Sequence, residues 1–241
     1  MLTTLRRRLL PFLLVSPLLA FLAPAAIAQD ASQLDHAYQS ELQAENAALR
    51  ARIQKMPPAM QELNSQVSAA LRAGNGPEAQ RIAEQMAQKY PDNADVKLFL
   101  AKLQSQQGNF AAAVELIDQS IKLNPGNKWA YINKAGAQAE RSDLPNALAT
   151  TQELTKRFPD WSIGYNLQAS LLDSMNREAE ALQTYQKAVR AQPASALILT
   201  NLGNLQRRLG HITDARLSYE AALRVEPGYP LTEAELASMP K

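Results

Sequence analysis

Five prolines recur at a fixed spacing of 34 residues, and this regularity restricts the fold more than any other feature of the chain. The prolines are Pro91, Pro125, Pro159, Pro193 and Pro227. An alanine stands twelve residues before each proline, at Ala79, Ala113, Ala147, Ala181 and Ala215. Two columns that keep one period without insertion indicate an internal repeat, in which each unit is too small to bury its apolar face alone and stacks on its neighbours.

A third column has the composition of a turn that ends a helix. It holds Gly74, Gly108, Ser142, Asn176 and Gly210, residue types that favour such turns. Apolar residues between these turns recur three and four positions apart, as in amphipathic helices, and no stretch alternates as a strand does. Each unit is therefore predicted to be a helical hairpin.

These units resemble the tetratricopeptide repeat family, whose 34-residue hairpins carry a small residue at position eight, alanine at position twenty and proline at position thirty-two. The best match is ALILTNLGNLQRRLGHITDARLSYEAALRVEPGY, residues 196–229. The resemblance implies an all-α, right-handed α-solenoid of five hairpins, followed by a tail or short cap over 230–241. The predicted units are 60–93, 94–127, 128–161, 162–195 and 196–229.

In this family, the first helix of each unit lines a concave groove that binds proteins. Carrying the groove positions over predicts a partner-binding set of Phe99, Lys102, Trp129, Asn133, Asn166, Ser170, Asn201, Asn204 and Arg208. Asparagine both donates and accepts hydrogen bonds, so we expect these side chains to hold the backbone of an extended peptide while the aromatic residues cover its side chains. The alternative is that the asparagines are solvated and that partners dock on the convex face or the ends.

The first 28 residues have the order of a secretory signal. Arg6, Arg7 and Arg8 precede a long apolar run, and small residues Ala26-Ile27-Ala28 stand before Gln29. This order predicts cleavage after residue 28 and a soluble periplasmic protein without stable membrane insertion. The alternative is a retained membrane anchor, which the prolines inside the apolar run disfavour.

Charge and composition disfavour several classes of function. The predicted signal carries three of the 25 basic residues, so the remainder has 22 basic and 23 acidic residues, and no basic footprint for nucleic acid. The chain lacks cysteine, and its two histidines, His36 and His211, lie far apart in the repeat order. We therefore expect no catalytic residues, no metal site and no cofactor.

Residues 29–59 precede the repeats and are predicted to form a separate helix that ends at Pro57-Pro58. A heptad frame places Leu42, Leu49 and Met56 at position d, and Gln39, Asn46 and Ile53 at position a. One interpretation is a short parallel coiled coil that makes the chain a homo-oligomer through residues 34–56. The other is a lone helix that caps the first hairpin or stays partly disordered, because three heptads are marginal in isolation.

These features predict an exported protein-binding scaffold or adaptor that assembles or coordinates a bacterial envelope complex. The layout is similar to that of envelope division coordinators of the Tol-Pal system and of periplasmic repeat proteins. Two alternatives remain: a structural oligomeric subunit of a pilus, secretin or polysaccharide-export system, and a glycan-binding accessory protein.

Overall fold

A computed structural model describes residues 34–239 and places twelve helices within that range. The predicted signal and residues 29–33 lie outside the described residues. The helices are α1 (His36–Gln54), α2 (Pro58–Arg72), α3 (Gly76–Lys89), α4 (Ala94–Gln106), α5 (Phe110–Leu123), α6 (Lys128–Glu140), α7 (Leu144–Arg157), α8 (Ser162–Ser174), α9 (Glu178–Arg190), α10 (Ala196–Arg208), α11 (Ile212–Val225) and α12 (Pro230–Ala237).

Helices α2 to α11 form five consecutive antiparallel hairpins, and each hairpin packs against the next. The predicted all-α solenoid is confirmed, with no strand within residues 34–239. None of the helices in this part of the chain is both long and apolar enough to cross a bilayer.

Small residues set the distance between the two helices of each hairpin. All five alanines of the repeated column are completely buried. The first helix carries a small residue at its eighth position, which is Ala101, Ala135, Ala169 and Gly203 in the last four units. The three alanines share an apolar cluster with the column alanine of their own hairpin. At the last crossing the aromatic ring of Tyr219 lies directly against Gly203, so the spacing of the helices there requires a glycine.

The turns inside the hairpins adopt the left-handed backbone conformation predicted from their composition. Gly74, Gly108 and Gly210 have φ between 70° and 82°, and Ser142 and Asn176 have φ of 61° and 58°. Pro77 and Pro145 lie in the first turn of α3 and α7, where the missing N–H costs no helical hydrogen bond.

The last hairpin is covered by α12. Thr232 of this helix is completely buried, and its hydroxyl lies 2.6 Å from that of Thr200 in α10. Arg207 pairs with Glu235 at 2.9 Å. Within the segment predicted to be a tail or a short cap, Pro230–Ala237 form this helix.

Candidate protein-binding groove and its occupant

The first helices of the hairpins present one continuous surface, and α1 lies along it. We call this surface the groove and define it by the residues that Asp35 and α1 contact or lie beside: Asp95, Phe99, Lys102, Lys128, Trp129, Trp161, Asn166, Ser195 and Leu197. Asp35, just before α1, contacts the start of α10, whereas Arg52 in its last turn contacts Asp95 at the start of α4. The helix α1 therefore runs against the order of the repeats, and its segment's hydrogen bonds extend from the fifth unit to the second.

Asp35 joins the amino end of α1 to that of α10. Its Oδ1 accepts a hydrogen bond from the Tyr38 amide at 3.0 Å, which caps α1. Its Oδ2 accepts from Ser195 Oγ at 2.6 Å and from the Leu197 amide at 3.0 Å. A helix amino terminus carries a partial positive charge and free N–H groups, so this completely buried carboxylate is stabilised by two helices at once.

Tyr38 anchors α1 in the middle of the groove. Its hydroxyl accepts a 2.6 Å hydrogen bond from Asn166 Nδ2, and Asn201 Nδ2 donates to Asn166 Oδ1 at 3.1 Å. The ring belongs to the same apolar cluster as Leu34 and Trp129. Burial raises the pKa of Tyr38 well above its usual value, so the hydroxyl stays neutral in this contact.

Glu41 holds α1 to the junction between the third and fourth units. Its Oε2 accepts from Lys128 Nζ at 2.9 Å and from Trp161 Nε1 at 2.8 Å. Lys128 Nζ also lies 4.6 Å from the centre of a Trp161 ring, a cation–π distance. Trp129 meets Trp161 edge to face, with ring centres 5.4 Å apart. Both tryptophans of the chain thus lie beside or beneath α1.

The carboxyl end of α1 carries the opposite charge. Arg52 donates to both oxygens of Asp95, at 2.9 and 3.0 Å, and to Glu45 at 2.9 Å. Lys102 is buried close by, and this burial lowers its pKa to about 7 although the charges of Glu45 and Asp95 oppose the shift. This end of the groove therefore combines a charge-paired rim with a buried amine.

Apolar side chains complete the contact at the first two units. Leu49 and Ile53 of α1, and Met56 just after it, face Val96 and Phe99 of α4 around a cavity of about 20 Å³. A space of that size is close to the volume needed for one water molecule. The helix α1 therefore fits the groove closely at this end.

The predicted partner-binding residues divide into two groups. Phe99, Lys102, Trp129, Asn166 and Asn201 lie against α1 or are joined to it through the contacts above. The remaining four lie further along the first helices. Ser170 pairs with Tyr185, Asn204 accepts from Tyr219, and Arg208 pairs with Asp173; Asn133 is half-buried. The structure places a helix in the groove, where we expected an extended peptide.

The placement of α1 bears on one of the two interpretations of the segment before the repeats. The expected cap on the first hairpin is wrong in extent, because α1 reaches the fifth unit. The predicted coiled coil stays a prediction, although Leu42, Leu49 and Met56 of its seam face the solenoid. Our sequence reasoning missed Asp35, Tyr38, Glu41 and Arg52 as binding residues. Their spacings of three, three and eleven residues place them on one side of a helix, and this was the available signal.

Solved structures with the same fold are bacterial and eukaryotic repeat proteins. MamA from Desulfovibrio magneticus aligns with a TM-score of 0.58 at 19% identity, over 71% of this chain and 97% of MamA. Yeast Tom70 aligns with a TM-score of 0.60 at 19% identity, over 73% of this chain and 38% of Tom70. At these identities the likeness supports the fold alone.

Relatives found by sequence are longer proteins. Cellulose synthase operon protein C of Pseudomonas fluorescens is 30% identical over 140 residues, which is 55% of this chain and 11% of that protein. Small glutamine-rich tetratricopeptide repeat-containing protein 2 of Mycosarcoma maydis is 24% identical over 116 residues, 48% of this chain and 33% of the relative. The chain thus spans about a tenth to a third of the length of these relatives.

Family models described as tetratricopeptide repeat match residues 70–122, 106–171, 164–195 and 196–229. These matches run through most of the solenoid, and the last coincides with the predicted fifth unit. The chain therefore belongs to the tetratricopeptide repeat family, whose stacked hairpins are scaffolds for protein–protein interaction.

Proposed function

We propose that this protein is an exported scaffold that holds a helical segment of a partner protein in the groove, and that it acts in assembling or coordinating a bacterial envelope complex. The observation that carries the proposal is the engagement of α1. Its anchors Asp35, Tyr38, Glu41 and Arg52 are each met by a side chain or amide of the groove. A surface with such regularly placed contacts has the properties of a recognition site rather than of solvated surface.

Export is supported by the order of residues 1–28, in which three arginines precede a long apolar run and the small residues Ala26-Ile27-Ala28. Processing after Ala28 leaves Asp35 and the whole of α1 on the mature protein. The experiment is to recover the protein from the periplasmic fraction of an expressing bacterium and to determine its amino terminus. A terminus at Gln29 supports export with cleavage, whereas full-length protein in the membrane fraction supports the anchor.

A structural role in a polysaccharide-export system is the second candidate. It is favoured by the 140-residue similarity to a protein whose name refers to a cellulose synthase operon. Direct glycan binding is less well supported, because Trp129 and Trp161 are each only 4% exposed and offer no open ring for a sugar to stack on.

Photo-cross-linking inside cells separates these functions. A photoreactive phenylalanine analogue at Asn133, on the groove side of α6, is compared with one at Leu217, an exposed residue of α11 (56% exposed). The scaffold predicts protein adducts from position 133 and few from position 217. Adducts from position 217 alone place the partner on the outer helices, and an exported protein without adducts at either position contradicts the scaffold.

A further inference from the structure

The helix α1 packs on the surface of the solenoid in the manner of a ligand, and Tyr38 is its one buried side chain in the main apolar cluster. Within α1 only Tyr38 and Leu49 are buried, whereas most residues of α6 and α8 are. Its backbone also stands further from the groove helices than consecutive solenoid helices stand from each other. The contact is therefore made by side chains, and many of these are polar.

The solenoid does not depend on α1 for its own hydrogen bonds and crossings. The alanine crossings lie between the two helices of each hairpin, and Ser195 caps α10 through the Ile198 amide. If α1 leaves, the polar groove groups Asp95, Lys128 and Asn166 become accessible to water, which can satisfy them. Departure therefore costs the contacts of α1 itself and leaves the hairpins paired.

The charges of the groove determine the direction and chemistry of what it binds. The amino terminus of α10 and the ammonium group of Lys128 receive carboxylates, and Asp95, at the other end, receives a guanidinium group. Asn166, between them, donates to a phenol. A helix laid in the opposite direction would bring its arginine to the amino terminus of α10 and its carboxylate to Asp95, and both contacts would be repulsive.

We propose that α1 is a built-in competitor of the partner. In this proposal the partner is an amphipathic helix that carries a carboxylate at its start. A tyrosine, a second carboxylate and an arginine follow three, six and seventeen residues after that first carboxylate. These are the spacings of Asp35, Tyr38, Glu41 and Arg52. The inference rests on the proposed function and adds to it the class of partner and the regulation: the partner binds by displacing α1, which stays tethered through Lys55–Pro57.

Tethering makes α1 a strong competitor. A short tether gives an effective concentration in the millimolar range, so a free helix of the same sequence binds the intact protein weakly. Weakening α1 in place lowers this competition without removing any groove residue. The variant Y38A/E41A does so, because both substituted side chains belong to α1.

The test uses residues 29–241 and a fluorescein-labelled synthetic peptide of residues 34–56. Fluorescence anisotropy measures peptide binding, and the emission of Trp129 and Trp161 reports whether the groove is covered. We expect Y38A/E41A to bind the peptide at least tenfold more tightly than the unsubstituted protein does, since it lacks several hydrogen bonds to charged or buried groups. The matched control S40A changes an exposed residue of α1 and should leave binding unchanged.

Adding Asn166→Ala to Y38A/E41A should remove the gain, because the peptide's own tyrosine loses its hydrogen-bond donor. Glu41→Gln alone is the milder variant, and circular dichroism verifies that each protein is folded. The proposal is overturned if the unsubstituted protein and Y38A/E41A bind the peptide equally, or if neither protein binds it. A doubled mass of the unsubstituted protein in light scattering, lost in Y38A/E41A, places α1 in the groove of a second copy and also overturns it.

The proposed function fails independently of this result. If the peptide competes with α1 but cross-linking from position 133 captures no protein, the competition stands and the scaffold function is contradicted. Conversely, if the same amount of partner protein is captured in the Y38A/E41A strain as in the unsubstituted strain, the scaffold function stands and the competition is contradicted.

Discussion

Replacing Gly203 by alanine tests whether close helix crossings hold the solenoid together. A Cβ built at Gly203 lies 2.5 Å from Tyr219 Cε1 and 2.8 Å from Tyr219 Cδ1, distances that carbon atoms do not reach without displacement. The Tyr219 ring is completely buried, and its hydroxyl donates to Asn204 at 2.7 Å. The ring therefore has to move away from the crossing or α10 and α11 have to separate.

Two opposing effects set the magnitude. Alanine inside a helix is favoured over glycine by about 1 kcal/mol, whereas overpacking a close contact costs about 1–3 kcal/mol. The net change for Gly203→Ala is then a loss of about 0–2 kcal/mol. Gly164→Ala is the matched control, because a Cβ there meets only side-chain atoms of Leu154 and Trp161 at 3.3–3.4 Å. It keeps part of the helical gain, so the two variants should differ by about 1–3 kcal/mol.

Urea unfolding followed by circular dichroism measures both free energies of unfolding, with the slope of each transition compared to verify that the same surface is exposed. In thermal unfolding the expected difference is about 2–4 °C for each kcal/mol, with Gly203→Ala the less stable. If Gly203→Ala is as stable as Gly164→Ala or more so, close crossing does not determine the spacing of the last hairpin.

Three further predictions concern a turn, the buried amine and the cap of α1. Ser142→Gly should stabilise the protein by about 0.5 kcal/mol and so raise its melting temperature slightly. The left-handed conformation costs serine about 1–2 kcal/mol, and the greater chain entropy that glycine loses on folding offsets part of this gain. Stability should rise from about pH 7 towards pH 10 by up to about 1.4 kcal/mol per unit, because the unfolded lysine binds a proton that buried Lys102 does not; Lys102→Met should lose this rise in urea titrations. Asp35→Ala should reduce the hydrogen-exchange protection of α1 by about 1.5–3 kcal/mol, the usual contribution of hydrogen bonds to a charged group, while α8 stays protected.

The solenoid was predictable because its determinants are local and repeated. A left-handed turn, a crossing alanine and a terminating proline each act within one hairpin, and the 34-residue period repeats the same solution. The crossing alanines are all completely buried and the five turns all have positive φ, as their composition predicted.

Contacts between distant segments were less predictable, because no period relates them. Asp35 and Ser195 are separated by 160 residues, and Glu41 and Trp161 by 120. Trp129 was assigned to the groove by its position in the unit, and it lies in the groove. Its burial beneath another part of the chain depends on a partner that the repeat pattern does not contain.

The same three apolar residues served two interpretations of α1 because heptad and helical periods barely differ over so short a length. Leu42, Leu49 and Met56 are spaced for a coiled-coil seam, and a straight helix drifts only about 20° per heptad from that spacing. The stripe therefore indicates that one face of α1 is covered, without indicating by what. Its polar neighbours are more informative: Glu41 lies outside the seam, at position c, yet its carboxylate meets two donors of the groove. Polar residues that share a face with an apolar stripe thus distinguish a helix that binds a groove from one that pairs with its own copy.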